Sequence, residues 1–191
     1  MEINEAIYQR RAVRRYSTRN VEPGLVKEIL AAAAQAPSAL NQQPWVFAVF
    51  HGRKRLRRYC VEAKRFLIAT IQPVWEVHLR SQRYQDPDYD VFHGADTLIV
   101  IYARPGGLNP AEDCCMAAQN LMLAAFARGL GSCPIGFLRQ WLDQRETKHQ
   151  LGVPEQFTAV FPLVVGYPEG PIETVVKDAP EIVSWKWGDE G

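Results

Sequence analysis

Apolar residues recur along this chain with two periods, and their alternation predicts its elements. Ile3, Ala6 and Ile7 stand at helical spacing over residues 2–10, with Asn4 near the start. Leu25, Ile29, Leu30 and Ala33 repeat that spacing over 23–35, where Pro23 suits the first turn and Glu22 the positive end. Residues 45–50 are continuously apolar and too short for a helix, which predicts a buried strand. Leu56, Tyr59, Cys60, Ala63, Leu67 and Ile71 then line one face of a helix over 53–70.

Residues 97–103 are apolar throughout and predict a strand covered on both faces. Asn109, Pro110, Glu112 and Asp113 read as the start of a helix that runs to about Arg128. Its apolar residues, among them Ala117, Leu121, Met122, Ala124 and Ala125, go almost all round, so a central buried helix is expected, stopped by Gly129 and Gly131. A short segment over 132–137, a polar helix near 139–150 and a long strand over 157–168 complete the pattern. Pro162 within that strand implies an edge position or a bulge. The order of elements predicts an α+β sandwich of one sheet with helices around it.

Two stretches resist the pattern. Residues 71–93 mix Pro73, Trp75, Tyr84 and Tyr89 with charge, as a substrate-covering lid or as a surface helix and loop would. The tail has no periodicity, yet Trp185 and Trp187 are costly to leave in water, so it is expected to pack on something, a second subunit included.

With 191 residues and no repeat or linker, residues 1–191 are read as one domain. Lys and Arg number 22 against 21 Asp and Glu, a formal charge of +1, which gives no global case for nucleic acid or an anionic membrane. No apolar run approaches the ~20 residues of a membrane span, and the expectation is a cytoplasmic protein. Cys60, Cys114, Cys115 and Cys133 lack metal or disulfide spacing, and the scattered His51, His78, His93 and His149 suggest no metal site.

The motifs of hydrolases, zinc proteases and P-loops are absent, as is GxGxxG. A chain without its own nucleophile, metal or acid–base pair borrows its reactivity from a cofactor. Arg10, Arg11 and Arg14 are able to grip a phosphate through guanidinium forks, although a solvated turn explains the cluster too. Between Pro37 and Pro44, Ser38, Asn41 and Gln43 offer two-way hydrogen bonding to hydroxyls and a ring edge. The turn Pro134, Ile135, Gly136 lets a backbone approach a planar ring. A phosphate, a polyol and a polar planar ring together make flavin mononucleotide (FMN).

Four stretches carry a resemblance to the FMN-dependent nitroreductase family. They are Arg10-Arg11-Ala12-Val13-Arg14-Arg15-Tyr16, residues 36–45, residues 117–125 leading to 129–133, and residues 162–168, spread in the family's order over nearly the whole chain. The resemblance implies an α/β/α sandwich with a mainly antiparallel central sheet, and an intertwined homodimer holding FMN between its subunits. In that pattern Arg10, Arg11, Ala12 and Arg14 hold the phosphate and O2 side, with Ala12 in place of the family's usual Ser. Asn41 and Gln43 face the ribityl chain or ring, and Pro37, Ser38 and Ala39 come from the neighbouring subunit. Pro134, Ile135 and Gly136 cover the ring and donate an N–H toward N5. Lys177 completes the phosphate site where family members often carry Arg.

The implied activity is ping-pong transfer from NADH or NADPH through flavin N5 to a nitroaromatic, quinone or activated alkene, with no catalytic side chain. A flavin-holding redox sensor and a reductive dehalogenase on the same scaffold are the alternatives. Neither the acceptor nor the choice between NADH and NADPH is expressed in a recognisable motif.

Overall fold

The computed structural model describes residues 2–70, 82–173 and 175–188. Strand β2 (Thr97–Ala103) is buried along its whole length and lies inside a sheet of order β1-β2-β4-β3, with β1 (Trp45–His51), β3 (Gly131–Pro134) and β4 (Thr158–Gly166) all pairing antiparallel. Period-two alternation sends Leu98, Val100 and Tyr102 into one core and Ile99, Ile101 and Ala103 into another. The first core is closed by α3 (Arg53–Thr70), α4 (Gln82–Gln85) and α6 (Arg139–Leu142). The second is closed by α2 (Pro23–Ala33) and α5 (Pro110–Ala127). Helices on both faces of an antiparallel sheet make the expected α/β/α sandwich. Among the described residues, no helix is long and apolar enough to cross a membrane.

Pro162 sits in an interior strand, not at an edge, and two features make room for it. The β2–β4 register shifts at Ile101/Tyr102, so Val160 and Phe161 face the same core in succession, as a bulge requires. The carbonyl of Pro162 accepts from the N–H of Ile135 at 3.0 Å, just where β3 ends. An N–H at position 162 would point to that same side, past the end of β3, so the proline forfeits no ladder bond there.

Other expectations need correction. Strand β1 is an edge strand and half-exposed over much of its length rather than buried. Helix α5 buries Cys114, Ala117, Ala118, Leu121 and Ala125 but exposes Cys115, Met116 and Gln119, so it is covered on one face only. Asn109 opens it through its backbone carbonyl, which accepts from the N–H of Asp113 at 3.0 Å. The polar helix near 139–150 is two pieces, α6 and α7 (Arg145–Leu151). Of the candidate lid, residues 71–81 lie outside the described residues, and from 84 to 92 the two ends pack on the core while residues 85–88 are exposed. Tyr84, Val91 and Phe92 are buried, Tyr84 packs edge-on against Tyr89, and Lys64 donates to the carbonyls of Asp86 and Tyr89.

Candidate functional site

Helix α1 (Ile3–Gln9) ends before the arginines, so residues 10–16 are extended backbone and not a solvated turn. The strip is held on both sides. Ala12 bridges Ser132 in parallel, with the Val13 N–H donating to the Ser132 carbonyl at 3.0 Å. Tyr16 bridges Pro168, and the N–H groups of Ser17 and Glu169 donate to the carbonyls of Tyr167 and Arg15. Val13 and Tyr16 turn into the core, which leaves Ala12, Arg14 and Arg15 facing out.

The outward side of the strip forms one wall of a cleft of about 580 Å³, and residues 168–173 with Val175 and Lys177 form much of the other. Arg10, Arg11, Ala12, Arg14 and Lys177 all line it, so the structure brings the expected phosphate-binding residues together, Lys177 included. Arg15, Glu169, Ile172 and Glu173 also line it and were not anticipated. The tail carries no periodic signal, and only its pairing with residues 15–17 brings those side chains round.

Two arginines differ in what they are free to do. Nη1 of Arg11 donates to the carbonyls of Tyr8 and Arg10 at 2.8 Å each, and Nη2 to that of Val175 at 3.0 Å. Arg11 therefore fastens the tail across the cleft and keeps little of its fork for a ligand. Among the described residues, Nη1 of Arg10 is buried with no partner, as is the single Nε of Arg11. A buried, unsatisfied guanidinium nitrogen is expensive unless an acceptor arrives. Burial, then the neighbouring charge of Arg11, lowers the Arg10 pKa from the ordinary arginine value. Both effects ease when an anion enters, so the cleft fits a phosphate.

The ring-covering turn needs revision. Pro134 has no N–H, and Ile135 donates its own to Pro162 while its side chain is fully buried. Gly136, exposed at the start of the 3-10 turn Gly136–Leu138, is the one of the three whose N–H can face a ligand. The turn continues from β3, to which the arginine strip is bonded at Ser132, but Pro134, Ile135 and Gly136 do not themselves line the cleft.

Pro37, Ser38, Ala39, Asn41 and Gln43 do not line that cleft. Their loop runs from α2 to β1 and rests on the start of α5. The Ala39 N–H lies 3.2 and 3.3 Å from the two carboxylate oxygens of Asp113, and the Leu108 N–H donates to Oε1 of Gln42 at 2.9 Å. Within the loop, the Gln43 N–H donates to Oγ of Ser38 and Nε2 of Gln43 to Oδ1 of Asn41, both at 2.9 Å. In the sequence Gln42 reads only as one of the loop's two-way hydrogen-bonding side chains and Asp113 only as a helix-start acid; their bonds across to each other's elements carry no local signal. Among the described residues, no group of His, Cys, Asp and Glu is arranged to hold a metal.

A sequence profile described as the nitroreductase family matches residues 7–167. The chain is 28% identical to 4-nitrobenzoate reductase of Nocardioides sp. over 95% of its length and 88% of the relative's. It is 27% identical to an iodotyrosine deiodinase of Thermotoga neapolitana over 85% of its length and 87% of the relative's. Among solved structures, a Bacteroides fragilis nitroreductase with bound FMN superposes with a TM-score of 0.85 at 27% identity, covering 97% of this chain and 100% of that one. With the arginine strip, the loop on α5 and the antiparallel sandwich between them, this chain belongs to the nitroreductase family.

Proposed function

We propose that residues 1–191 form one FMN-binding unit of a homodimeric oxidoreductase that takes electrons from NADH or NADPH and passes them to a small organic acceptor. Nitroaromatics, quinones and activated alkenes are the acceptor classes. The observation that carries this reading is the unpartnered, buried Nη1 of Arg10 in a cleft that also holds Arg14, Arg15 and Lys177. FMN, when bound, supplies two-electron transfer between the nicotinamide and the acceptor.

The chain's own residues position and bias. Arg10 would meet the phosphate and O2 side with its free nitrogen, with Arg14 and Lys177 adding charge, while Arg11 holds Val175 of the tail against the strip. Positive charge there favours electron density on the ring. Gly136 would offer its N–H to the ring edge. The loop over 37–43 stands away from this chain's cleft, which suits its delivery to the cleft of a second subunit. Ile3, Ile7, Leu108 and Met116 are exposed apolar residues that such a contact would cover. The four thiols are unpaired, which suits a reducing, cytoplasmic setting.

Reductive dehalogenation is the second reading, favoured by the likeness to the Thermotoga neapolitana deiodinase. The test is the absorbance spectrum of purified protein, identification of the pigment released by heat, and NAD(P)H oxidation with a quinone, a nitroaromatic and a halogenated phenol offered in turn. Yellow protein yielding FMN, with turnover of the first two acceptors, supports the reading; protein that is colourless and takes up no added FMN overturns it.

A further inference from the structure

The loop between α2 and β1 adopts a shape its residues would not choose. Leu40, Asn41 and Gln43 have φ of 50°, 54° and 47°, the left-handed region that side chains other than glycine seldom occupy. The bonds inside the loop, from Gln43 to Ser38 and Asn41, fix its curvature but not its position. Leu40 at its apex is 84% exposed and has no packing to anchor it. Position comes from two tethers to the segment opening α5, the Gln42–Leu108 bond and the carboxylate of Asp113 under the N–H of Ala39.

Asp113 is the less expected of the two. It is only 6% exposed, and among the described residues no salt bridge includes it and its side-chain bonds go to the Ala39 N–H alone. A carboxylate withdrawn from water needs compensation, and here that comes from one loop amide and from the first turn of α5. The same cost gives the tether direction: the loop is drawn onto α5 to satisfy the acid beneath it.

We propose that Asp113 is a positioning residue for cofactor binding, holding the Ala39 amide so that Ser38, Asn41 and Gln43 are presented in one fixed arrangement. The proposal rests on the flavin reading above and deepens it, since those side chains are the ones assigned to the ribityl chain and ring. Asp113 itself touches no ligand. Removing its acceptor frees the loop to shift off α5, and the order lost is order that binding must then restore.

A bland role competes: Asp113 stands in the first turn of α5, where any negative charge steadies a helix. Four variants separate the two. Asp113→Ala removes both acceptor and charge; Asp113→Asn keeps an acceptor and drops the charge; Asp113→Glu keeps the charge and displaces the acceptor by a methylene. Glu112→Ala removes an exposed charge from the same turn without touching the loop. FMN dissociation constants are read by quenching of flavin fluorescence, alongside the unfolding midpoint of the apoprotein and the visible circular dichroism of bound flavin.

The expected result is a Kd raised about tenfold in D113A and D113E, the scale of one buried hydrogen bond. D113N stays within about threefold of wild type and retains the wild-type dichroism, and E112A is unchanged. If D113A cannot be recovered folded, the contrast of D113N with D113E decides alone. D113N as defective as D113A, with D113E intact, assigns the residue to helix charge and overturns the proposal, as does wild-type affinity in D113A. Wild-type protein that takes up no FMN fails the flavin reading itself, a result visible before any variant is compared.

Discussion

Gly131 is paired with Gly166 across β3 and β4, and neither position has room for a methyl group. A Cβ on Gly131 would lie 2.6 Å from Cγ2 of Val13, and one on Gly166 would lie 2.7 Å from Cδ1 of Tyr16. Partners across an antiparallel pair share a face, so the two glycines form one shallow seat. Val13 and Tyr16 are the inward residues of the arginine strip, and the seat therefore sets how closely Arg10, Arg11 and Arg14 approach the sheet.

Alanine at either glycine is expected to lower stability by about 1–3 kcal/mol, the usual cost of overpacking. It should also weaken FMN binding, because the strip must lift to admit the methyl. Gly24→Ala is the control, since a Cβ there meets nothing within 4 Å and the residue stands in α2, outside the cleft lining. Thermal unfolding of the apoprotein and FMN titration of G131A, G166A and G24A check this; a G131A protein with wild-type midpoint and affinity refutes it.

Buried thiols make stability depend on pH, and Cys60 is one of them, with Cys114 and Cys133 raised by burial as well. Burial beside Tyr89 and Val91 raises the Cys60 pKa from 9.0 to about 11. From pH 9 to about 11 the unfolded chain gives up a proton that the folded chain keeps, so the folded state binds more protons and stability falls as pH rises. Unfolding midpoints between pH 8 and 11 should decline, and Cys60→Ala should decline less steeply than wild type while being less stable at pH 8. Parallel slopes in the two proteins would show that Cys60 does not carry the effect.

Local pattern makes much of this fold legible in the sequence. Residues 97–103 read correctly because they are apolar throughout and 53–70 because one helical period holds over their length, and the arginines stand out by charge alone. What failed depended on partners distant in sequence. The half-exposure of residues 45–50 reflects the place of β1 at an edge, which no local pattern states. Residues 10–16 read as turn or helix end because their real partners, Ser132 and Pro168, lie more than a hundred positions away. Asp113 looks like a helix-start acid and is one, but its bond to Ala39 joins loops separated by the whole of β1, α3 and β2.

Dimerisation has its own test in the exposed apolar residues. Ile7 and Met116 are 50% and 52% exposed on α1 and α5, helices that pack against each other, so they face solvent from adjoining elements. The wild type should sediment at twice the 21.7 kDa of the chain. The double change Ile7→Asp, Met116→Asp should give a folded monomer that no longer retains FMN, because the loop over 37–43 would have no partner cleft to enter. Flavin retained at full affinity by a proven monomer would place the whole site within one subunit.

Arg10 and Arg11 are neighbours with opposite balances between stability and binding, and their alanine variants should show it. Arg11 makes its bonds in the free protein, to the carbonyls of Tyr8, Arg10 and Val175, so Arg11→Ala should destabilise the apoprotein and loosen the tail. Arg10 holds a buried nitrogen with nothing to bond, so Arg10→Ala removes a cost and should leave the apoprotein as stable as wild type or more so. Its loss should appear on adding cofactor. A charge-assisted bond to a phosphate contributes about 1.5–3 kcal/mol, which is roughly a 10- to 100-fold rise in the Kd for FMN. Arg10→Lys keeps the charge without the planar fork and should fall between. Because the lost term is electrostatic, R10A should also show a shallower dependence of affinity on salt than wild type. Titrations at two ionic strengths, paired with apoprotein melting curves, read all of this from one set of samples. An R10A protein that melts early yet binds FMN normally would make Arg10 a structural residue and leave the phosphate to Arg14 and Lys177.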